Sequence, residues 1–333
     1  MARAAWRSVS VMRCLLLVLL LPMTAHAASA GSREVYPSRP IRLVVPFSTG
    51  GAADVPARLL SQKLSEALGQ QIVVDNRPGA ASTIGADLVA KARPDGYTLL
   101  TITTSHFVSA GLYVKLPYRP LEDFAPVTAF ATAPYVLAVH PALEAKTVKT
   151  LIGLAKAAPG KIDYASSGNG SLQHLSGALF QRMTGIELTH IPYKGSASAL
   201  TDLLSGRIKV TFAGMVNLLP HTRSGRLWAL GVSSSKRSVL LPDVPTIAEA
   251  GVAGYDAMQW TGIAAPQGTP REIITQLHAG IVAQVLRPDF AESLLSGGSE
   301  VFYHSSPEQG AAFMKQESIK WPLLVKDSGA RIN

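Results

Sequence analysis

The stretch Pro46-Phe47-Ser48-Thr49-Gly50-Gly51-Ala52-Ala53-Asp54 holds the residues whose types and spacing point most directly to chemistry. Two adjacent glycines let a backbone turn sharply and leave its N–H groups uncovered by side chains. The next residues, Asp54-Val55-Pro56-Ala57-Arg58-Leu59-Leu60, read as the first turns of a helix. The positive end of that helix and its free N–H groups favour an anion at the same spot. The chemistry this suggests is capture of a carboxylate by main-chain donors. Gly-rich strand-to-helix turns are common in α/β proteins and most bind nothing, so the turn alone does not establish a site. It is not a nucleotide motif: neither Gly-x-x-x-x-Gly-Lys-Ser/Thr nor a complete Gly-x-Gly-x-x-Gly follows a strand anywhere in the chain. Asp54 reads as a first-turn acid that complements the helix dipole, or as a partner for a ligand amine or hydroxyl.

A second stretch repeats the logic. In Tyr164-Ala165-Ser166-Ser167-Gly168-Asn169-Gly170-Ser171-Leu172-Gln173-His174-Leu175 a strand ends near Ala165, two glycines form a turn, and Ser171 or Asn169 can cap the helix that follows. Read as a site, its N–H groups and hydroxyls face the first turn across a cleft. Read as structure, it is an ordinary capped helix. Ser171 and His174 also suggest a Ser/His catalytic pair, but positions i and i+3 at a helix start serve more often as cap and first-turn residue. No Gly-x-Ser-x-Gly elbow is present, so catalysis is not expected. The 8 histidines are scattered, with no pair at i and i+4 beside an acid, so neither metal nor cofactor is expected.

The elements that must position these turns alternate strand and helix. Ile41, Leu43, Val44 and Val45 form an apolar run that suits a central parallel strand. A helix is expected over 54–68, ended by Gly69, then a strand over 71–76, a helix over 84–92 and a strand over 97–102. Such βα units predict a doubly wound parallel sheet. The Ala/Thr/Pro segment 129–134 reads as an irregular hinge leading into the strand 135–139. A second βα set follows through to a returning strand at 227–233, and the tail, with a strand at 257–265 and helices near 271–286, 288–295 and 307–326, rejoins the first lobe. The expected organisation is therefore one lobe from 36–134 and 234–333, a second from 135–233, and a ligand cleft between them.

The chain begins with a pattern of its own. Arg3, Arg7 and Arg13 precede the apolar run Leu15–Leu21, and Ala25-His26-Ala27 supplies small residues, with Ala28-Ser29-Ala30 as a second option. This reads as a secretory signal peptide over residues 1–27, too short to span a bilayer, which needs about 20 apolar residues. The only cysteine, Cys14, lies inside it, so no thiol or disulfide is expected in the mature chain. The formal charge of +9 falls by three on its removal, and the remaining Lys and Arg form no basic stripe, which argues against nucleic-acid binding. The chain is 47% hydrophobic and 16% charged, the balance of a folded, core-building protein.

Motifs spread along nearly the whole mature chain add a resemblance. They include Tyr36-Pro37-Ser38-Arg39-Pro40-Ile41, Asn76-Arg77-Pro78-Gly79-Ala80, Pro94-Asp95-Gly96-Tyr97-Thr98-Leu99, Ser167-Gly168-Asn169-Gly170-Ser171, Pro192-Tyr193-Lys194-Gly195 and Leu241-Pro242-Asp243-Val244-Pro245-Thr246. Singly these are unspecific; in this order and spacing the chain resembles the Bug-type extracytoplasmic solute receptors of tripartite tricarboxylate transporters. The resemblance implies a type II periplasmic binding-protein fold closing on a small carboxylate. It implies that Phe47, Ser48, Thr49, Gly50, Gly51 and Asp54 grip the ligand with Ser166, Gly170, Ser171 and His174, partly through ordered waters. It departs from the family at Thr49 and Ala52, where many relatives carry a proline and a third glycine, and near Ala213, where many carry an acid or amide. The segments 103–106, 213–217 and 259–261 are expected to set ligand choice, with Thr104, Ser105, Met215 and Trp260 in contact. Met215 and Trp260 point to an aromatic or apolar-bodied carboxylate; a di- or tricarboxylate or an amino acid stays open. The expected partners are integral-membrane permease subunits, with the receptor periplasmic and monomeric. A ligand sensor serving a signalling partner is the alternative, and a secreted hydrolase a more distant one.

Overall fold

The computed structural model describes residues 35–50 and 52–330. The expected signal peptide and Gly51 lie outside the described residues. The chain folds as β1 (Ile41–Val45), α1 (Asp54–Leu68), β2 (Ile72–Asn76), α2 (Thr83–Ala90), β3 (Thr98–Thr103), α3 (Thr104–Leu112), β4 (Phe124–Ala133), β5 (Tyr135–Val139) and α4 (Val148–Ala157). It continues with β6 (Asp163–Ser166), α5 (Leu172–Thr184), β7 (Thr189–Pro192), α6 (Ser196–Leu204), β8 (Val210–Gly214), α7 (Met215–Arg223) and β9 (Trp228–Val232). It ends with β10 (Gln259–Pro266), α8 (Arg271–Val285), α9 (Pro288–Ser296), β11 (Glu300–Val301) and α10 (Pro307–Ser328).

Two sheets organise these elements into two lobes. The first has strand order β11-β4-β10-β3-β1-β2 and the second β7-β6-β8-β5-β9. Neither is wholly parallel, contrary to the expectation from βα spacing. β1 runs parallel to β2 and β3, and β6 parallel to β7 and β8. β10 runs antiparallel to β3 and β4, and β5 antiparallel to β8 and β9. The reason is connectivity. β11 is reversed too, antiparallel to β4, but each of the long reversed strands, β5 and β10, is the first to enter its sheet after the chain crosses from the other one. It enters at the edge where the parallel strands end, and so must run away from that edge.

The packing follows the sequence pattern. In α1 the buried face is Ala57, Leu60 and Leu64, set against Leu277 and Ile281 of α8. A Cβ at Gly280 would sit 3.0 Å from the Leu64 side chain, so the missing side chain lets the two helices approach closely. Full burial of each leucine contributes roughly 1.5–3 kcal/mol. Gly69 ends α1 in the left-handed conformation, φ 64°.

Two expectations need correction here. The segment 129–134 is not an irregular hinge: Ala129 to Ala133 complete the ten-residue strand β4, and Pro134 alone separates it from β5. Alanine is a poor strand former in isolation, but here the small side chains are buried between β10 and the helices α8 and α10. The second correction concerns the return of the chain. Residues after 233 do not go straight back to the first sheet. Val232 donates to Pro245 O, Ile247 donates to Val232 O, and Leu240, Leu241 and Val244 pack against the apolar cluster of the second sheet. The chain rejoins the first sheet only at Gln259.

Candidate ligand cleft

A cleft of about 390 Å³ opens where the parallel strands of both sheets end. From the first sheet's side come Gly50, Ala52, Val55, Pro56, Leu59, Ala133 and Gln259, with Ser293 and Leu294 of α9 and Gly297–Ser299 after it. The second sheet contributes Tyr135, Gln173, Ser196 and the run Gly214–Asn217. The two sides touch at one rim, where a Cβ on Gly298 would meet Val216 Cγ2 at 1.7 Å. There too Ser238 donates to Glu300 and, at 3.2 Å, to Met215 Sδ.

Helix starts dominate this cleft. α1, α6 and α7 all begin at its wall, at Ala53, Gly195 and Gly214, and none of the three has a side chain accepting from its first turn. Each therefore leaves backbone N–H groups and a partial positive charge for another acceptor. Pro56 sits in the first turn of α1, where a missing N–H costs nothing. Among the described residues that line the cleft, none carries a charge. Tyr135 adds a hydroxyl whose pKa burial pushes up to about 12, so it stays a donor at neutral pH. What the arrangement can do is hold an anion with neutral donors in a largely apolar surrounding.

The residues singled out from the sequence fall in three groups. Gly50, with φ 78°, and Met215 line the cleft. Phe47, Ser48 and Thr49 form the rest of the turn: Phe47 packs on the first-sheet core, and Thr49 Oγ1 donates to Asn76 Oδ1 at 3.2 Å. Asp54 braces this turn from beneath and is fully buried. It accepts from the Gly50 N–H at 2.8 Å, from Arg58 Nε at 2.8 Å and from Asn76 Nδ2 at 2.7 Å. Burial raises its pKa, but the bonds from Arg58, Asn76 and Gly50 outweigh that and hold the carboxyl below the usual range. Asn76 Nδ2 also donates to Phe47 O at 3.0 Å, so one amide ties the turn at both ends.

The expected second cradle is occupied by its own side chains. Ser171 Oγ accepts from the His174 N–H at 3.3 Å, His174 Nδ1 accepts from the Gly170 N–H at 3.2 Å, and Ser166 Oγ accepts from the Gly168 N–H at 3.1 Å. Ser166 Oγ also lies 2.6 Å from His190 Nε2. His174 and His190 stack with centroids 3.8 Å apart and planes at 3°, and burial lowers both to pKa values of about 4, helped at His174 by the neighbouring ring. Ser166, Gly170, Ser171 and His174 are thus not among the residues lining the cleft; the second sheet supplies the starts of α6 and α7 there instead.

Thr104, Ser105 and Trp260 are also placed elsewhere. Thr104 Oγ1 donates to Met258 O and accepts from the Trp260 N–H at 3.1 Å, joining two chain segments. Ser105 gives its N–H to Thr103, the cap of α3. Trp260 is fully buried, and its Nε1 donates to Glu317 Oε2 at 2.7 Å. Strand parity explains this: successive side chains face opposite sides, so Gln259 lines the cleft and its neighbour Trp260 turns into the core. Sequence reasoning missed Tyr135, Gln173 and Ser196. A signal existed for the last, since Gly195-Ser196 opens a helix after the strand ending at Pro192.

Comparison with known proteins fits this geometry. Residues 56–330 match the family described as the tripartite tricarboxylate transporter family receptor. The protein BugT of Bordetella pertussis is 38% identical over 322 residues, 96% of this chain and 98% of BugT. The structure of R. palustris Rpa4515 with adipate is 38% identical, with TM-score 0.71, covering 89% of this chain and all of that one. MatC from Rhodopseudomonas palustris with bound malate is 32% identical, with TM-score 0.66, covering 87% of this chain and all of MatC. These are solute-binding receptors and not enzymes. Family match, full-length identity and shared two-lobe fold together make the chain a member of the tripartite tricarboxylate transporter receptor family.

Proposed function

We propose that this protein is a periplasmic receptor that captures a small carboxylate in the cleft between its two sheets and delivers it to integral-membrane permease subunits. The observation that carries the reading is the convergence of three uncapped helix starts, α1, α6 and α7, on one neutral cleft. Carboxylates on two relatives, adipate on Rpa4515 and malate on MatC, support the ligand class. The signal peptide read in the sequence, and the absence of any helix long and apolar enough to cross a membrane among the described residues, fit an exported receptor.

In this reading the start of α1, beside Ala52 and Ala53, holds one side of the ligand. Tyr135 Oη, the Asn217 and Gln259 amides and the starts of α6 and α7 hold the other. Asp54 acts beneath the turn, fixing its shape. A micromolar affinity requires about −8 kcal/mol. A few charge-assisted bonds at roughly 1.5–3 kcal/mol each supply most of it once water is excluded. The test is thermal unfolding of the purified protein with matched acids and amides. A saturating carboxylate, at a hundred times its Kd, adds about 2.7 kcal/mol and raises Tm by several degrees. Equal stabilisation by the amides would overturn an anion site.

A further inference from the structure

The wall that the second sheet gives to the cleft contains a buried amide with one arm unused. Gln173, in the first turn of α5, is 3% exposed and lines the cleft. Its Nε2 donates to Ser196 Oγ at 3.2 Å, while its Oε1 is fully buried and has no hydrogen-bond partner among the described residues. A buried acceptor left without a donor has lost its water and gained nothing in return. The approach to this amide is apolar, between Val55, Pro56 and Leu59 on one side and Met215 and Val216 on the other. Behind it lies a second chamber of about 10 Å³, bounded by Ala199, Leu203, Ala213 and Leu218. That volume admits one group of about the size of a water or a hydroxyl.

We propose that Gln173, oriented by Ser196, is a specificity-determining residue that reads the end of the ligand remote from the carboxylate held at the start of α1. The ligand is a carboxylate on an apolar body whose far end carries a neutral hydrogen-bond donor, a hydroxyl, given to Gln173 Oε1. A second carboxylate at that end brings only acceptor oxygens, with no proton to give, against the amide oxygen, and a methyl ether or bare ring leaves the oxygen unpaired. This rests on the receptor function proposed above and narrows its ligand class.

The test is isothermal titration of the purified protein with two matched sets. One is benzoate, 4-methoxybenzoate and 4-hydroxybenzoate; the other is hexanoate, adipate and 6-hydroxyhexanoate. In at least one set the hydroxy acid should bind about tenfold tighter than both companions, a difference of about 1.4 kcal/mol. Gln173→Leu should abolish that preference by weakening the hydroxy acid alone, and Ser196→Ala, which frees the amide, should narrow it. The inference is overturned if the companions bind as well as the hydroxy acid in both sets, or if Gln173→Leu weakens every acid equally. The wild-type comparison decides the matter by itself should a variant fail to fold. Titration with the amides of the same acids separates the two readings: amides binding as tightly as the acids would instead sink the anion site itself, and no binding by any acid of either set would overturn the ligand class inferred here.

Discussion

The turn after β1 and the turn after β6 are built from the same residue types, glycines with serine or threonine before a helix, and yet they are spent differently. After β6, Ser166, Ser171 and His174 accept the N–H groups of Gly168, His174 and Gly170, so the turn closes on itself. After β1, Asp54 takes the Gly50 N–H and α1 begins with no side-chain cap beside the cleft. A capping serine marks a helix start whose donors are already used. The places to look for an anion are the starts without one, here Ala53, Gly195 and Gly214.

That contrast can be broken most forcefully at Asp54. Asp54→Ala leaves Asn76 and Arg58 without their acceptor and should cost about 3 kcal/mol in urea unfolding, with ligand binding lost as well. A cost under about 1 kcal/mol would show that the turn holds its shape unaided. Next in size is the pH response of the other turn. His174 and His190 have folded pKa values lowered to about 4, so between that value and about 6.5 the unfolded chain binds more protons. Stability should be full above about pH 6.5 and fall as the pH drops toward 4, by about 2 kcal/mol at pH 5 from buried His174 and by less from the half-buried, solvent-screened His190. His190→Gln should flatten that slope, and an unchanged slope would place its origin elsewhere.

Smaller effects sharpen the comparison. Ser171→Ala removes a cap and should cost about 1 kcal/mol while leaving carboxylate affinity within twofold. A large affinity loss there would return the second turn to the site. Tyr135→Phe should do the reverse, weakening a carboxylate roughly fivefold to tenfold with little change in stability. Calorimetric titration and urea unfolding of the two variants side by side measure both quantities.

Much of the fold was legible because local signals were consistent. The first helix, expected over 54–68, is α1 itself, framed by an acid in its first turn and a left-handed glycine after its last. The strand β4 was not legible, because its Ala and Thr residues have no strand signature until β10 and two helices enclose them. Strand direction was likewise hidden: it depends on the edge at which the chain enters a sheet, which no local pattern records. The placement of Gly50 and Met215 on the candidate cleft could be read, since a turn and a helix start announce themselves. Trp260 misled because alternation along a strand gives two faces without saying which one meets the ligand. Gln173 was overlooked for a similar reason, its meaning lying in an atom that finds no partner.

The two long reversed strands carry a last consequence. Tyr135 opens β5 and is bonded through its N–H and its carbonyl to Ser233, while Gln259 opens β10 and gives its carbonyl to Thr132. Both residues also line the cleft. The two passages of the chain between the sheets thus border the cleft, and a carboxylate bound as proposed would rest directly against both of them.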